Sequence, residues 1–205
     1  MRRVVAVLSF ALVLGLLAPT SVHAGPICTG DVTVDMADNA YSPTTVTRSW
    51  DAGFTGFDVC WSNTGSNTHT ATSIDGFFDT GDVAGGAEVG DAIPGTGAFA
   101  YRCLYHPIQM QGTLRLRPLA SDTSVTAGQE VTLAIGDSAT KGYNWDVQRK
   151  RGNGEWVTIK RRVGANVVVR PSRAGTFRYR ARTRDFGTDE VSGWSPPRRV
   201  IVSAA

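Results

Sequence analysis

The 205-residue chain predicts an all-β protein built from a sandwich or small barrel followed by a second sandwich. Three observations lead there. Apolar residues recur at every second position in short runs, the spacing of a half-buried strand. Turn residues separate those runs, and no segment keeps apolar residues at helical spacing. The length suits two domains of about 100 residues each, and charge divides the chain in the same way. Residues 25–117 carry four basic against ten acidic side chains, whereas residues 118–205 carry fifteen against eight. The overall net charge of +3 hides this split. Opposite charges on the two halves suggest different partners, or domains that attract each other. The junction, Pro118 to Asp122, is short, so the halves should be close-coupled.

Residues 1–24 read as a secretory signal. Arg2 and Arg3 precede an apolar stretch from Val4 to Ala18, and Val22-His23-Ala24 resembles a small-x-small cleavage site. An uncleaved N-terminal anchor is the alternative, but the apolar stretch is short for a span of about 20 residues. Nothing after Ala24 is apolar enough to cross a membrane. The mature chain is therefore expected to be exported, secreted or on the cell-envelope side of the membrane, which disfavours nucleic acid as a partner.

Strands are expected over Asp31 to Met36, Thr44 to Trp50 and Gly56 to Ser62. Ala37 to Ala40 and Asp51 to Gly56 should be turns, and Asn63 to Asn67 a polar loop. A short strand should begin at His69, ahead of a Gly-rich and acidic stretch from Asp75 to Gly95. Phe99, Tyr101 and Cys103 alternate into a turn over Leu104 to Gln109. A last run, Thr113 to Leu116, completes the half.

That turn concentrates the chemistry. Cys103, His106 and Met110 offer a thiolate, an imidazole and a thioether from one loop between two strands. One Cys and two His with a weak axial Met is the donor set of blue-copper electron transfer. The second imidazole has one candidate. Of the three histidines, at 23, 69 and 106, His23 falls in the leader, so His69 must supply it. Each residue also has a plainer role: a polar loop residue for His69, a buried thiol for Cys103, a surface histidine for His106 and core filling for Met110. Zinc suits the thioether poorly. With both histidines used, none remains for the further copper centres of a multicopper oxidase or nitrite reductase, nor for a hydrolase that needs a catalytic His. An electron carrier is expected rather than an enzyme.

Three cysteines in an exported chain imply one bridge and one left over. With Cys103 in a metal-site context, Cys28 and Cys60 should pair, and closing a loop of about 30 residues would contribute roughly 3–4 kcal/mol. Two buried free thiols are the alternative.

The stretch Ser62 to Thr70, the run Gly76 to Gly81 (GFFDTG) and the loop Tyr-Arg-Cys-x-x-His-Pro closing on Met and Gly resemble the cupredoxin family, in particular plastocyanin- and amicyanin-like proteins. The resemblance covers about Asp31 to Arg117. It implies a Greek-key sandwich or barrel over residues 25–117 binding one type 1 copper ion. His69 would be the upstream buried imidazole, Cys103 the thiolate, His106 the loop imidazole and Met110 the axial thioether. The His and Met here have three residues between them, more than in amicyanin-like loops and fewer than in plastocyanin. Thr70 stands where plastocyanins carry Asn, the usual link between this strand and the Cys loop. The resemblance further implies a redox protein docking near His106, where Tyr105, Pro107 and Ile108 would form an apolar rim. The acidic residues Asp75, Asp79, Asp82, Glu88 and Asp91 would either steer a basic partner or line a solvated loop.

Residues 118–205 should hold strands over Val125 to Ile135, Tyr143 to Arg149, Trp156 to Arg161, Asn166 to Val169 and Gly175 to Thr183. The stretches Tyr143 to Gln148, Tyr179 to Asp185 and Ser192 to Pro197 resemble a fibronectin type III module, an immunoglobulin-like sandwich whose usual role is spacing or adhesion. Arg178, Arg180, Arg182 and Arg184 should project from one strand face. An anionic cell-surface polymer could bind there. A solvated face, or one docked on the acidic half, is the other reading. Together these features describe an exported blue-copper electron carrier with a spacer module. The alternatives are copper binding or delivery, and an adhesion protein whose first domain is structural.

Overall fold

The computed structural model describes residue 28 and residues 30–50 and 57–205. The expected leader and its cleavage site after Ala24 lie outside the described residues, as does the turn expected over Asp51 to Gly56. The described chain is all β, as expected, and none of its elements is a helix.

The described residues up to Arg117 form eight strands: β1 (Val32–Ala37), β2 (Ala40–Ser42), β3 (Thr45–Ser49), β4 (Phe57–Ser62), β5 (Thr72–Ser73), β6 (Glu88–Ile93), β7 (Gly97–Arg102) and β8 (Gln111–Arg117). They make two sheets, in the orders β2-β1-β4-β6 and β3-β8-β7-β5. The pairs β1–β4 and β3–β8 are parallel and the others antiparallel, so the chain crosses repeatedly between the layers. Alternation decides which side chains enter the core. Val34 and Met36 of β1, Phe99 and Tyr101 of β7, and Leu114 and Leu116 of β8 are buried, and their neighbours are not. Trp50, Phe57 and Trp61 complete a core centred on aromatic rings. Tyr101 meets Trp61 and Tyr41 edge to face, with ring centroids 4.9 Å apart in each pair.

Eight further strands follow: β9 (Leu119–Ala120), β10 (Ser124–Thr126), β11 (Val131–Ala134), β12 (Tyr143–Arg151), β13 (Val157–Val163), β14 (Asn166–Val169), β15 (Gly175–Asp185) and β16 (Arg198–Ser203). Their sheets run β10-β16-β15-β12-β13 and β14-β11-β9. A second core lies between them, around Val131, Leu133, Ile135, Trp145, Val147, Phe177, Tyr179 and Val200. The run expected as one strand from Val125 to Ile135 is split. Gly128 takes a φ of 88°, and its turn divides β10 from β11.

The junction is itself part of the second sandwich, because β9 pairs with β11 through Leu133–Ala120 and Ala134–Leu119. The halves meet where Phe77 packs against Tyr143, where Arg198 donates to the Ser49 hydroxyl at 2.7 Å, and along the start of β7 and the turn before it. Ala98 and Gly193 exchange two backbone hydrogen bonds, at 2.8 and 2.9 Å. Thr183 accepts from the Trp145 indole N–H at 3.0 Å and donates to the Thr96 carbonyl at 2.9 Å. Gly95 and Gly136 bridge beside that indole, and a Cβ on either would lie 2.2 or 2.0 Å from it. Only glycine permits so close an approach. Thus β7 begins in the interdomain contact and ends, about 20 Å away at roughly 3.3 Å per residue, at Cys103.

Candidate metal centre

Cys103 follows directly on β7, and the loop it opens closes on itself before β8. Its N–H donates to the Met110 carbonyl at 3.0 Å, and the Met110 N–H donates to the His106 carbonyl at 2.9 Å. The Gln111 side chain braces the turn by donating to the Pro107 carbonyl at 2.8 Å. His69 comes from the connection between β4 and β5. It is held by a reciprocal backbone pair with Val83, at 3.1 and 2.8 Å.

These connections bring three donors to one point. Nδ1 of His69 and Nδ1 of His106 each stand 3.8 Å from the Cys103 Sγ. All three ligand atoms lie within 4.8 Å of one another. Donors about 2.0–2.3 Å from a shared ion, at trigonal to tetrahedral angles, would stand roughly 3.4–3.8 Å apart, so the set fits a small transition-metal ion. His69, Cys103 and Met110 are fully buried. His106 is half-buried and gives the site its one imidazole edge toward solvent. Met110 sits at the base of the loop, fastened by its backbone to both Cys103 and His106. The four residues singled out in the sequence therefore gather in one place.

The surroundings order these groups further. The Thr70 N–H points at the Cys103 Sγ at 3.5 Å, and the Thr70 hydroxyl accepts from the Leu104 N–H at 2.9 Å. Thr70 therefore makes the link between the His69 segment and the Cys loop that its departure from Asn had left open. Its carbonyl accepts from the Tyr41 hydroxyl. Burial pushes the phenols of Tyr41 and Tyr101 well above their ordinary range, so both stay neutral beside the site. Nε2 of His69 faces a carboxylate oxygen of Asp38 at 3.4 Å. The N–H of Asn67 and the Ser66 hydroxyl, together with His69 and the N–H of Ser66, lower the Asp38 carboxyl to about 2 against a smaller opposing effect of burial. Neither Asp38 nor the bonding of Thr70 was legible beforehand. Asp38 lies 31 positions before His69 in a turn, and no spacing rule joins the two.

Around the loop, Leu104, Tyr105 and Ile108 are exposed, Ile108 to 82%. They form an apolar rim beside His106. The Tyr105 hydroxyl donates to Asp82 at 2.8 Å. A shallow hollow of about 450 Å³ lies between Asn67, Thr68, Asp82, Tyr105 and His106.

Cys28 and Cys60 form a disulfide with Cα atoms 5.5 Å apart, and Cys103 is the free thiol among the described cysteines. The bridge ties the chain ahead of β1 to β4, next to Trp61.

On the second sandwich, Arg178, Arg180, Arg182 and Arg184 do share the outer face of β15, but they engage neighbours. The Arg180 guanidinium lies over Trp156 at 4.2 Å and Trp194 at 5.0 Å, and Arg182 lies over Trp194 at 4.7 Å. Arg182 and Arg184 both donate to Asp146, at 2.9–3.0 Å. Arg180 donates to Gln148 and Arg178 to the Gly152 carbonyl. The alternation in the sequence marked the face. The tryptophans and Asp146 that occupy its charges come from other strands and loops.

No family model matches the chain, and no curated protein matches it. Solved structures give partial likenesses. The PKD domain of a peptidase from a Thermoplasmatales archaeon is 19% identical, with a TM-score of 0.28 over 43% of this chain and 97% of that one. A cytokine receptor complex is 16% identical, with a TM-score of 0.32 over 67% and 87%. Domains from titin are 12% identical, with a TM-score of 0.31 over 78% and 62%. Scores this low leave the site to be argued from its own geometry.

Proposed function

We propose that this chain is an exported mononuclear blue-copper protein, of cupredoxin type over residues 25–117, that carries single electrons. The observation behind this reading is the convergence of His69, Cys103 and His106, whose ligand atoms lie within 4.8 Å of one another beside the buried Met110. A thiolate with two imidazoles and a thioether suits both copper oxidation states without large rearrangement, and bound copper would supply the one-electron chemistry.

The protein's own part is to hold those donors still. Strands flank the loop, Thr70 locks it to the His69 segment, and the buried thiol is shielded from solvent. His106 is the exit, since its ring is the ligand nearest solvent. The exposed rim of Leu104, Tyr105 and Ile108 offers a small apolar surface of the kind that weak redox encounters use. A redox protein would dock there, with Asp82 at the edge of the same hollow. The second sandwich would serve as a spacer. An anionic surface polymer, if bound, would meet basic side chains such as Lys160 and Arg161, since the Arg180–Arg184 charges are turned to internal partners.

Voltammetry of the copper-loaded protein tests the reading. A reversible one-electron couple is expected. Copper binding without a reversible couple would favour storage or delivery, and failure to bind copper would leave the first sandwich a structural module.

A further inference from the structure

We infer that Asp38 is a positioning residue for the metal centre: its carboxylate fixes the ring of His69 through Nε2 and places a negative charge behind the ligand. The inference rests on the copper reading above. It goes further by assigning a residue that the donor set does not contain.

Asp38 sits in the two-residue turn between β1 and β2, followed by Asn39 with a φ of 68°. The Asp38 side chain is 39% exposed, so hydrogen bonds rather than burial hold its carboxylate in place. The polar loop after β4 folds around it. Oδ1 accepts from the backbone N–H groups of Ser66 and Asn67, both at 3.1 Å, and Oδ2 accepts from the Ser66 hydroxyl at 3.0 Å. A Cβ on Gly65 would lie 2.4 Å from Oδ1, so the loop reaches this position only with glycine there. Asn63 closes the loop from the other side by donating to the carbonyls of Asn67 and Val83, at 2.8 and 2.7 Å. Oδ1 then faces His69 Nε2 at 3.4 Å, while Nδ1 of the same ring faces the Cys103 Sγ.

Two consequences follow. A carboxylate facing Nε2 favours the tautomer with its proton there, which leaves the Nδ1 lone pair for a metal. The separation exceeds the roughly 2.7–2.9 Å of a charge-assisted bond, so much of the effect is the field of the charge. That field favours the more highly charged of two metal ions, and so favours Cu(II) over Cu(I).

The experiment compares the full chain with Asp38→Asn and Asp38→Ala. Asn keeps the loop's acceptor and loses the charge, whereas Ala loses both. Cu(II) and Cu(I) affinities are measured by chelator competition and the potential by voltammetry. Nitrogen NMR of the metal-free protein reads the tautomer of His69. The expected result for Asp38→Asn is a Cu(II) affinity about 10–100-fold lower, with a smaller change for Cu(I). Each tenfold difference between the two raises the potential by about 59 mV. The wild type should show the Nε2–H form of His69, and Asp38→Ala should lose that preference. Equal losses for both ions, an unchanged potential, or the Nδ1–H form in the wild type would overturn the assignment. A wild type that takes up no copper would defeat the copper reading instead, and the tautomer would still decide whether Asp38 orients His69.

Discussion

Thr70 carries four hydrogen bonds at the centre of the site, one of them from the Thr72 hydroxyl to its own at 3.1 Å. Its N–H faces the Cys103 Sγ, its hydroxyl accepts from the Leu104 N–H, and its carbonyl accepts from Tyr41. Thr70→Val keeps the N–H and carbonyl bonds but strands a part-buried backbone donor on Leu104. The expected loss is about 1–3 kcal/mol, measured by urea denaturation, and Thr70→Ser should restore most of it. The sequence showed which side chains could bind a metal, because soft donors in one loop and a scarcity of histidine leave few combinations. It did not show what orients them. The position of Thr70 after His69 was marked by the resemblance but not the bond its hydroxyl would make, and Asp38, in a turn 31 residues before His69, has no spacing signature.

Most strands with an apolar face were legible, although β16 was not expected despite burying Val200 and Val202, and β13 was expected although none of its residues is fully buried. β1, β4, β7, β8, β12 and β15 alternate plainly. In β6 only Ile93 is buried, so Glu88–Ile93 passed as a loop although it pairs with β4 along its length. That strand also carries Asp91, whose carboxyl burial pushes up to about 6, with Asp79 and Asp58 adding repulsion against a backbone bond that opposes them. A carboxyl raised in the folded state favours the protonated form. Stability should therefore fall as pH rises from about 4 to about 6. Asp91→Asn should flatten that fall and leave the protein more stable at pH 7, as thermal melts across the range would show. Asp146 behaves in the opposite sense. Burial would raise its carboxyl, but hydrogen bonds from Arg184 and Arg182, with the Arg162 N–H, outweigh that and hold it below the usual range. Its contribution is present above about pH 4 and is lost as pH falls through its lowered folded value. Asp146→Ala leaves two guanidinium groups beside the tryptophan face without their shared carboxylate. Arg184 keeps Asp189 and both guanidinium groups keep some solvent, so the loss is about 1–3 kcal/mol, to be read from urea denaturation at pH 7.

At the scale of the whole molecule, the contrast in charge pointed to two halves, and the short junction to close coupling. The coupling itself depends on steric detail that composition does not carry: two glycines facing one indole, and a threonine bonded to both sides. Gly136→Ala would place a methyl carbon 2.0 Å from the Trp145 ring. Overpacking of this kind costs about 1–3 kcal/mol and should separate the unfolding of the halves into two calorimetric transitions. Because that contact lies at the start of β7 and the donor loop at its end, the same variant should leave metal uptake intact.

The most direct test of the account is optical. The mature protein is titrated with cupric ion and its absorption compared with that of Cys103→Ser. An intense blue thiolate-to-copper band is expected at one equivalent in the wild type, and it should be absent from the variant. A colourless, metal-free wild type, or a band that survives loss of the Cys103 sulfur, would contradict the claim that residues 69, 103 and 106 hold copper.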